Sequence, residues 1–526
     1  MINDYKVYIS KKKKKTILLI MSIIIITFAL GLVIDFSIVK IFKGIPSMYS
    51  LFERILRPNL SYIEEVFSKL LETIEIAIIS SIIGVALSIP FSLLISRNIA
   101  PSKHISMILN ALFSILRTIP SLIWTALLVS VFSIGKFSGV LALTIIAFLM
   151  SLKLFKEHIE TINENIINST RSVGANQIQI LRYCILPTIL DILISVLFIV
   201  LETNIRSATV LGLVGAGGIG QIMWRDLNHL RYDNLSTLIL ILFLTIVSID
   251  TLSLLIRNLI KKSSITYTSL ESYRKFHNRR RLFYISIFII LIALILISID
   301  VDYERLKIGF KQGLEIITRI IDIDISYFPK LFEGIKESLA IAIFATVLGA
   351  AGALVLSFFS SYNTSPSKYI AILFKGLINI LRTFPPIITA IIFFRGVGPG
   401  PLAGSLALSI YTAGVLTKLY SDIIESSSEN IKNSILVTGS TNLTSFRYGI
   451  LLQTLPNFIS LSLYRLESNI RNSTILGIIG AGGIGTILNR NITWRNWERV
   501  GTLILGISIM IILIDILSYS LRKKLL

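Results

Sequence analysis

One glycine-rich stretch occurs twice in this chain. Residues 204–220 read Asn-Ile-Arg-Ser-Ala-Thr-Val-Leu-Gly-Leu-Val-Gly-Ala-Gly-Gly-Ile-Gly. Residues 469–485 repeat them with five substitutions, at an offset of 265 (469 − 204). The same offset relates Glu72 to Glu337, far from the glycines. An offset this close to half of the 526 residues predicts an internal duplication into two homologous halves, because a solenoid repeats at 20–50 residues.

The composition places the chain in a membrane. Hydrophobic residues make up 53% and charged residues only 15%, and the mean hydropathy is +0.78, which a soluble globular protein does not reach. The net charge of +21 is concentrated in basic clusters at residues 11–15, 261–281 and 522–524, at the ends of apolar runs. This positive-inside pattern predicts that both termini and the middle of the chain are cytoplasmic, and it argues against nucleic-acid binding.

The apolar runs predict an all-α polytopic fold. A spanning helix needs roughly 20 apolar residues, and the N-terminal run is read as a retained span and not as a signal peptide. We predict about twelve transmembrane helices as two parallel repeats, with residues 1–258 as the first, 259–281 as a cytoplasmic linker and 282–526 as the second. The spans are expected near 16–34, 67–96, 105–133, 138–156, 185–205 and 235–258, and near 282–299, 332–361, 370–398, 403–421, 450–470 and 500–521.

Two details of these segments have structural consequences. Pro120 and Pro385 interrupt their apolar runs and predict a kink in each. Residues 35–60 and 300–328 carry mixed charges and are predicted to lie outside the membrane core as interfacial helices.

The longest polar stretch of each half, residues 157–185 and 422–450, is predicted to be cytoplasmic. Each contains a glycine, Gly174 or Gly439, flanked by helix-compatible residues and followed by an amphipathic segment. Glycine suits a tight turn between two short helices because it tolerates positive φ. A solvated connector would also be polar, but two copies of equal length on one face favour a docking element.

These residues resemble the membrane-spanning permease subunit of binding-protein-dependent ABC importers, and among those the phosphonate-type permeases. In the cytoplasmic loop the resemblance rests on Gly174-Ala175, Arg182-Tyr183 and Ile185-Leu186-Pro187, and on Gly439, Arg447-Tyr448 and Leu455-Pro456. Elsewhere it rests on Arg117-Thr118-Ile119-Pro120, on Gly398-Pro399-Gly400-Pro401 and on both glycine-rich stretches. Asn168 and Asn433 stand where the family usually has a glutamate, so the salt bridge expected from that glutamate cannot form.

The resemblance implies a type I importer fold, with two permease units fused in one chain. It also implies two copies of a separate ATPase subunit, which would carry ATP and Mg²⁺, and an extracytoplasmic substrate-binding protein. The chain itself would lie in the cell (inner or plasma) membrane. The coupling residues would be Gly174, Ala175, Arg182, Tyr183, Gly439, Arg447 and Tyr448. The cargo would be phosphonate or a related phosphorus oxyanion.

Charged side chains in the apolar runs are candidates for the translocation path. Glu202 and Arg206 are four residues apart, as are Glu467 and Arg471, and ion pairs within one helix are expected. Arginine suits phosphorus oxyanions, so we predict that Arg206 and Arg471, with Arg117 and Arg382, line the path. The alternative is that they lie at the membrane boundary and only set the depth of their helices.

The glycines of the repeated stretch have two open interpretations. Gly215, Gly217, Gly218 and Gly220, with Gly480, Gly482, Gly483 and Gly485, act as a gate or hinge, or they only allow close helix packing. Their Gly-x-Gly-x-x-Gly spacing matches the dinucleotide fingerprint, but that fingerprint must follow a strand, and here it follows a predicted membrane helix.

Nothing in the sequence predicts catalysis or a cofactor in this chain. It has no Gly-x-x-x-x-Gly-Lys-Ser/Thr loop, its four histidines share no metal-ligand spacing, and its single cysteine excludes an internal disulfide. Two other functions remain open: an importer of the same architecture for another small solute, and a secondary transporter driven by an ion gradient.

Overall fold

Every regular element that the computed structural model describes is helical. The described residues are 25, 27–55, 57–261, 303–383, 385–427 and 429–525. They form two compact units: the first comprises the described residues between 54 and 318, and the second comprises those between 319 and 525 together with those up to residue 53. The predicted all-α fold is confirmed.

The helices of the two sequence halves correspond one to one. The first-half helices are α1 (Ile38–Ile55), α2 (Ile63–Ile95), α3 (Lys103–Thr118), α4 (Ser121–Phe132), α5 (Lys136–Glu160), α6 (Glu164–Ser172), α7 (Gln177–Ile180), α8 (Leu186–Leu211), α9 (Ile219–Asn228) and α10 (Tyr232–Lys261). The second-half helices are α11 (Tyr303–Ile321), α12 (Phe328–Ser360), α13 (Lys368–Thr383), α14 (Pro386–Val397), α15 (Pro401–Ser426), α16 (Glu429–Leu436), α17 (Asn442–Ser445), α18 (Leu451–Ile478), α19 (Ile484–Thr493) and α20 (Trp497–Leu525).

Most predicted spans are helices that are long and apolar enough to cross a membrane. Among the described residues, seven helices meet this criterion, or nine if each of two bent pairs is one span. The run at 450–470 lies in α18, which the criterion does not include. The predicted span at 282–299 lies outside the described residues, and most of the span at 16–34 does as well.

The bent pairs are the segments that proline interrupts. α3 and α4 meet at 86°, and α13 and α14 meet at 85°. Ile119, directly before Pro120, is extended at ψ 119°, because a residue that precedes proline is sterically kept out of the helical region. The predicted kinks are therefore full breaks between two helices.

Small residues bring the long central helices together. A Cβ at Gly84 of α2 would lie 2.5 Å from the Cβ of Ala147 of α5. The equivalent Gly349 of α12 would meet Thr412 of α15 at 2.6 Å. Close approach through glycine is the usual means of packing helices in a membrane, where lipid competes for apolar surface.

The segments 35–60 and 300–328 each contain a helix, α1 or α11, that packs against residues of the other repeat. Their interfacial location stays a prediction. Gly44 of α1 lies against the backbone of Gly396, so α1 up to Glu53 belongs to the second unit. Gly309 of α11 lies against Phe132, where a Cβ would come within 2.6 Å of its ring, so α11 up to Thr318 belongs to the first unit. The compact units and the sequence repeats therefore differ by these two helices.

Candidate functional site

The polar loop of each repeat is a turn between two short helices. In the first unit α6 and α7 flank Gly174, whose φ is +87°, and in the second unit α16 and α17 flank Gly439, whose φ is +81°. Asn176 caps α7 by accepting a hydrogen bond from the backbone N–H of Gln179 at 2.8 Å, and the Gln179 side chain accepts one from the N–H of Asn176 at 2.9 Å. This reciprocal cap fixes the direction in which the chain leaves the turn.

The base of the loop is buried and its tip is exposed. Ile167 and Ile180 pack into the same apolar cluster as Phe155 of α5, and Ala175 lies against that cluster. At the tip, Val173, directly before Gly174, is 89% exposed, and Val437, two residues before Gly439, is 87% exposed. The loop is therefore held at its base and exposes one apolar side chain next to its turn.

The Arg-Tyr pairs of the two loops adopt the same arrangement. The guanidinium carbon of Arg182 lies 5.6 Å from the ring centre of Tyr183, and that of Arg447 lies 5.5 Å from the ring centre of Tyr448. Both tyrosines are exposed. These distances permit a cation–π contact, which orients both side chains on the loop surface.

The repeated glycine stretch is a turn at the end of a long helix. Gly215, Gly217 and Gly218 have φ of +97°, +81° and +69°. Gly480, Gly482 and Gly483 repeat these values as +97°, +79° and +74°. The stretch follows helix α8 or α18 and not a strand, so the dinucleotide fingerprint is a chance match, as expected.

The last glycine of each stretch allows the turn to close. A Cβ at Gly220 would collide with the carbonyl oxygen of Thr209, and one at Gly485 would collide with that of Thr474. Close packing is therefore sufficient to explain these two glycines. The gate or hinge function stays a prediction.

A carboxylate from another helix holds this turn in both units. Oε1 of Glu72 accepts a hydrogen bond from the N–H of Gly218 at 3.1 Å, and Oε2 of Glu337 accepts one from Gly483 at 2.9 Å. The adjacent hydroxyls of Thr73 and Ser338 accept from the next N–H groups of the turn, at 2.7 and 2.9 Å. A carboxylate at the start of α9 or α19 is also favoured by the helix dipole.

Sequence reasoning missed this function of Glu72 and Glu337. The signal was present, because a carboxylate retained at the repeat offset within an apolar run needs a buried partner. The partner itself, 146 residues away, had no signal in local sequence.

The predicted intrahelical ion pairs form. Nη2 of Arg206 lies 2.7 Å from Oε1 of Glu202, and Arg471 pairs with Glu467 in the same way. All four side chains are about three quarters buried or more. A place on the translocation path remains a prediction for them.

Arg117 lies elsewhere in the first unit. It lines a cavity of about 200 Å³ together with Asn110, Lys153, Lys156 and Glu157. Neither Glu202 nor Arg206 is among its lining residues. Arg382 has the equivalent position at the end of α13 and is half-buried. A place on the translocation path stays a prediction for Arg117 and Arg382 as well.

No metal centre accompanies these elements. Within the described part of the chain, no group of three His, Cys, Asp or Glu side chains could hold a metal ion. What the fold and its paired loops define is a polytopic α-helical membrane protein made of two copies of one unit.

Comparison with known proteins assigns the family. Residues 88–266 and 353–525 each match the binding-protein-dependent transport system inner membrane component family, and the two matches begin 265 residues apart (353 − 88). The chain belongs to this family, since the matches together cover more than half of it. The predicted resemblance to an importer permease with two fused units is confirmed.

Three relatives illustrate the range of similar proteins. The chain is 26% identical over 500 residues to a phosphate-import permease protein, PhnE, of Mycolicibacterium smegmatis, covering 94% of this chain and 92% of that protein. It is 32% identical to a phosphite transport system permease protein, PtxC, of Stutzerimonas stutzeri, covering 38% and 73%. It is 42% identical to a putative cryptic phosphonate transport system permease protein, PhnE2, of Escherichia coli, covering 22% and 97%. Like these permeases, the chain is a membrane transport subunit and not an enzyme.

Proposed function

We propose that this chain is the translocation subunit of an ATP-driven importer for a phosphorus oxyanion. The observation that carries the proposal is the similarity of nearly the whole chain to a permease named for phosphate import, and of parts of the chain to permeases named for phosphite and phosphonate transport. The basic side chains of the Arg117 cavity and the paired arginines of α8 and α18 are consistent with an anionic cargo, because guanidinium groups bind such oxyanions in a bidentate manner.

The chain works with partners. Two copies of an ATPase subunit engage the loops around Gly174 and Gly439, and ATP and Mg²⁺ are bound by those subunits. An extracytoplasmic binding protein delivers the cargo. The basic clusters support a cytoplasmic location for both termini and for the loops. An externally added impermeant maleimide should then fail to label a Val173→Cys, Cys184→Ser variant in intact cells and should label it in inverted vesicles.

Docking of the ATPase depends here on shape and apolar contact. Asn168 and Asn433 are exposed on α6 and α16, and neither carries the charge of the usual glutamate. The exposed Val173 and Val437 instead supply apolar surface at the tip of each loop. Burying such a side chain against a partner contributes about 1.5–3 kcal/mol.

The decisive experiment is ATP hydrolysis by the chain reconstituted with its candidate ATPase and binding protein. Phosphate, phosphite, methylphosphonate and methionine are supplied in turn. Stimulation by one phosphorus oxyanion and not by methionine would support the proposal and name the cargo. Stimulation by methionine alone would support the importer architecture but contradict the proposed cargo. If no ATPase binds the chain, the importer mechanism is wrong.

A matched pair of variants tests the loops. Val173→Asp with Val437→Asp places charge on the apolar tips and should abolish stimulation while the unfolding temperature of the chain is retained. Asn168→Glu with Asn433→Glu adds the same charge on the neighbouring helices and restores the family pattern, so stimulation should be kept or increased. Equal losses in both pairs would show that charge, and not the apolar tips, matters.

A further inference from the structure

The two units differ at one buried charged position. Arg465 of α18 is only 9% exposed, whereas Val200, its equivalent in α8, is fully buried and apolar. The same contrast holds for its neighbour, because Tyr411 of α15 corresponds to Ile146 of α5 at the offset of 265. At these two positions the first unit thus has apolar residues in place of the arginine and the tyrosine.

No carboxylate among the described residues acts on the guanidinium of Arg465. Its Nε and Nη2 atoms are buried and have no hydrogen-bond partner among the described residues. Its carbon lies 4.6 Å from the ring centre of Tyr411. The titratable groups that act on its charge are Tyr411 and Tyr464, and a tyrosine is neutral at pH 7.

A buried cation in this setting requires compensation. Desolvation of an ion is costly unless an opposite charge and hydrogen bonds replace its water, and contact with one aromatic face offsets only part of that cost. The fold does not need the charge, since valine fills the equivalent site in the first unit. The arginine is therefore better explained by something it binds than by packing.

The unpartnered Nε and Nη2 atoms of Arg465 indicate which kind of ligand would compensate its charge. Nε and Nη2 present parallel N–H groups along one edge of the planar guanidinium, which is the geometry that holds two oxygens of a carboxylate or phosphate group. We propose that Arg465 and Tyr411 form a binding site for a tetrahedral phosphorus oxyanion in the second unit, with no counterpart in the first. This rests on the proposed function, in that the oxyanion is the transported cargo.

The test is ligand binding to the full chain, purified in phosphate-free detergent without the binding protein or the ATPase. Phosphate, phosphite and methylphosphonate are titrated to millimolar concentration, since a site on a transport path must also release its ligand, and binding is followed by the rise in unfolding temperature. A parallel titration with phosphatidylglycerol shows whether a lipid headgroup, and not free oxyanion, occupies the site.

Four variants give the site its signature. Arg465→Lys keeps the charge but loses the bidentate edge and should weaken binding by about tenfold. Arg465→Val and Tyr411→Ile install the residues of the first unit, and we expect the former to abolish binding and the latter to weaken it. Arg490→Gln, which removes an exposed positive charge from the same unit, should leave binding unchanged.

Each result is decisive. Wild-type affinity in Arg465→Lys and Tyr411→Ile would overturn the site even if Arg465→Val failed to fold. A rise in unfolding temperature with phosphatidylglycerol alone, or with none of the ligands, would also overturn it. If an oxyanion stimulates ATP hydrolysis in the complex but its affinity is unchanged in the Arg465 variants, the proposed site is wrong and the proposed function stands. If no oxyanion stimulates hydrolysis, the proposed function fails independently of this site.

Discussion

At the scale of single residues, the two carboxylates that hold the glycine turns have different charged neighbours. Glu72 also forms an ion pair with Lys69, at 2.7 Å, whereas Gly334 stands at the equivalent position beside Glu337. The turn of the second unit therefore depends on Glu337 without that lysine.

This difference predicts the outcome of matched substitutions. Glu337→Ala and Glu72→Ala each remove a charge-assisted hydrogen bond and should lower the free energy of unfolding by about 1.5–3 kcal/mol. Glutamine restores an acceptor oxygen, so Glu337→Gln should recover more stability than Glu72→Gln, which still loses its ion pair. Denaturant titration measures both, with the exposed Asp322→Asn as a control expected within about 0.5 kcal/mol of wild type. Unchanged stability in Glu337→Ala would contradict the anchoring function.

The loop glycines predict a different kind of effect. A Cβ at Gly174 or Gly439 would meet no atom within 4 Å, so alanine there costs only its positive φ, about 1–2 kcal/mol per site. Because the strain is local to the loop, Gly174→Ala with Gly439→Ala should reduce stimulation of the ATPase more than it reduces the unfolding temperature. Gly376→Ala is the control, since Gly376 is also open but helical, where alanine adds about 0.5–1 kcal/mol of stability. Full ATPase stimulation in the loop variant would exclude a need for this turn.

At the scale of elements, the contact between α12 and α15 is set by one glycine. Gly349→Ala would place its Cβ 2.6 Å from Thr412 and force the two helices apart, a typical overpacking cost of about 1–3 kcal/mol. Gly352→Ala, three residues along the same helix, meets Ala413 at an ordinary 3.7 Å and should be neutral or slightly stabilising. The difference in unfolding temperature between these two variants is the measurement, and equal values would show that α12 and α15 readjust freely.

Local sequence patterns predicted where helices and turns occur better than they predicted which of these elements contact one another. Hydropathy located the spans, Pro120 and Pro385 located the breaks, and Gly174 located the loop turn, because each depends on neighbouring residues. The contact of Glu72 with Gly218 joins residues 146 positions apart, and no periodicity within one segment encodes it. The cavity that Arg117 lines with Lys153 and Lys156 of another helix also had no signal in local sequence.

At the scale of the whole molecule, the exchange of α1 and α11 couples the two repeats. The first repeat contributes α1 to the second unit, where Gly44 and Met48 lie against Gly396. The second repeat contributes α11 to the first unit, where Gly309 lies against Phe132. A chain cut between the repeats therefore lacks one helix of each compact unit unless the other piece supplies it.

This arrangement predicts that the repeats assemble without a covalent link. Residues 1–270 and 271–526, co-expressed as separate chains, should copurify through a tag on either piece, because each completes the unit of the other. Gly44→Leu with Gly309→Leu places side chains where backbone or ring atoms already lie and should reduce recovery of the untagged piece, whereas Gly376→Leu, at an open position, should not. If the untagged piece is recovered equally well with the Gly44 and Gly309 variants, the exchanged helices do not hold the pieces together. In that case the continuous chain, and not the exchange, is what keeps both repeats in one transporter.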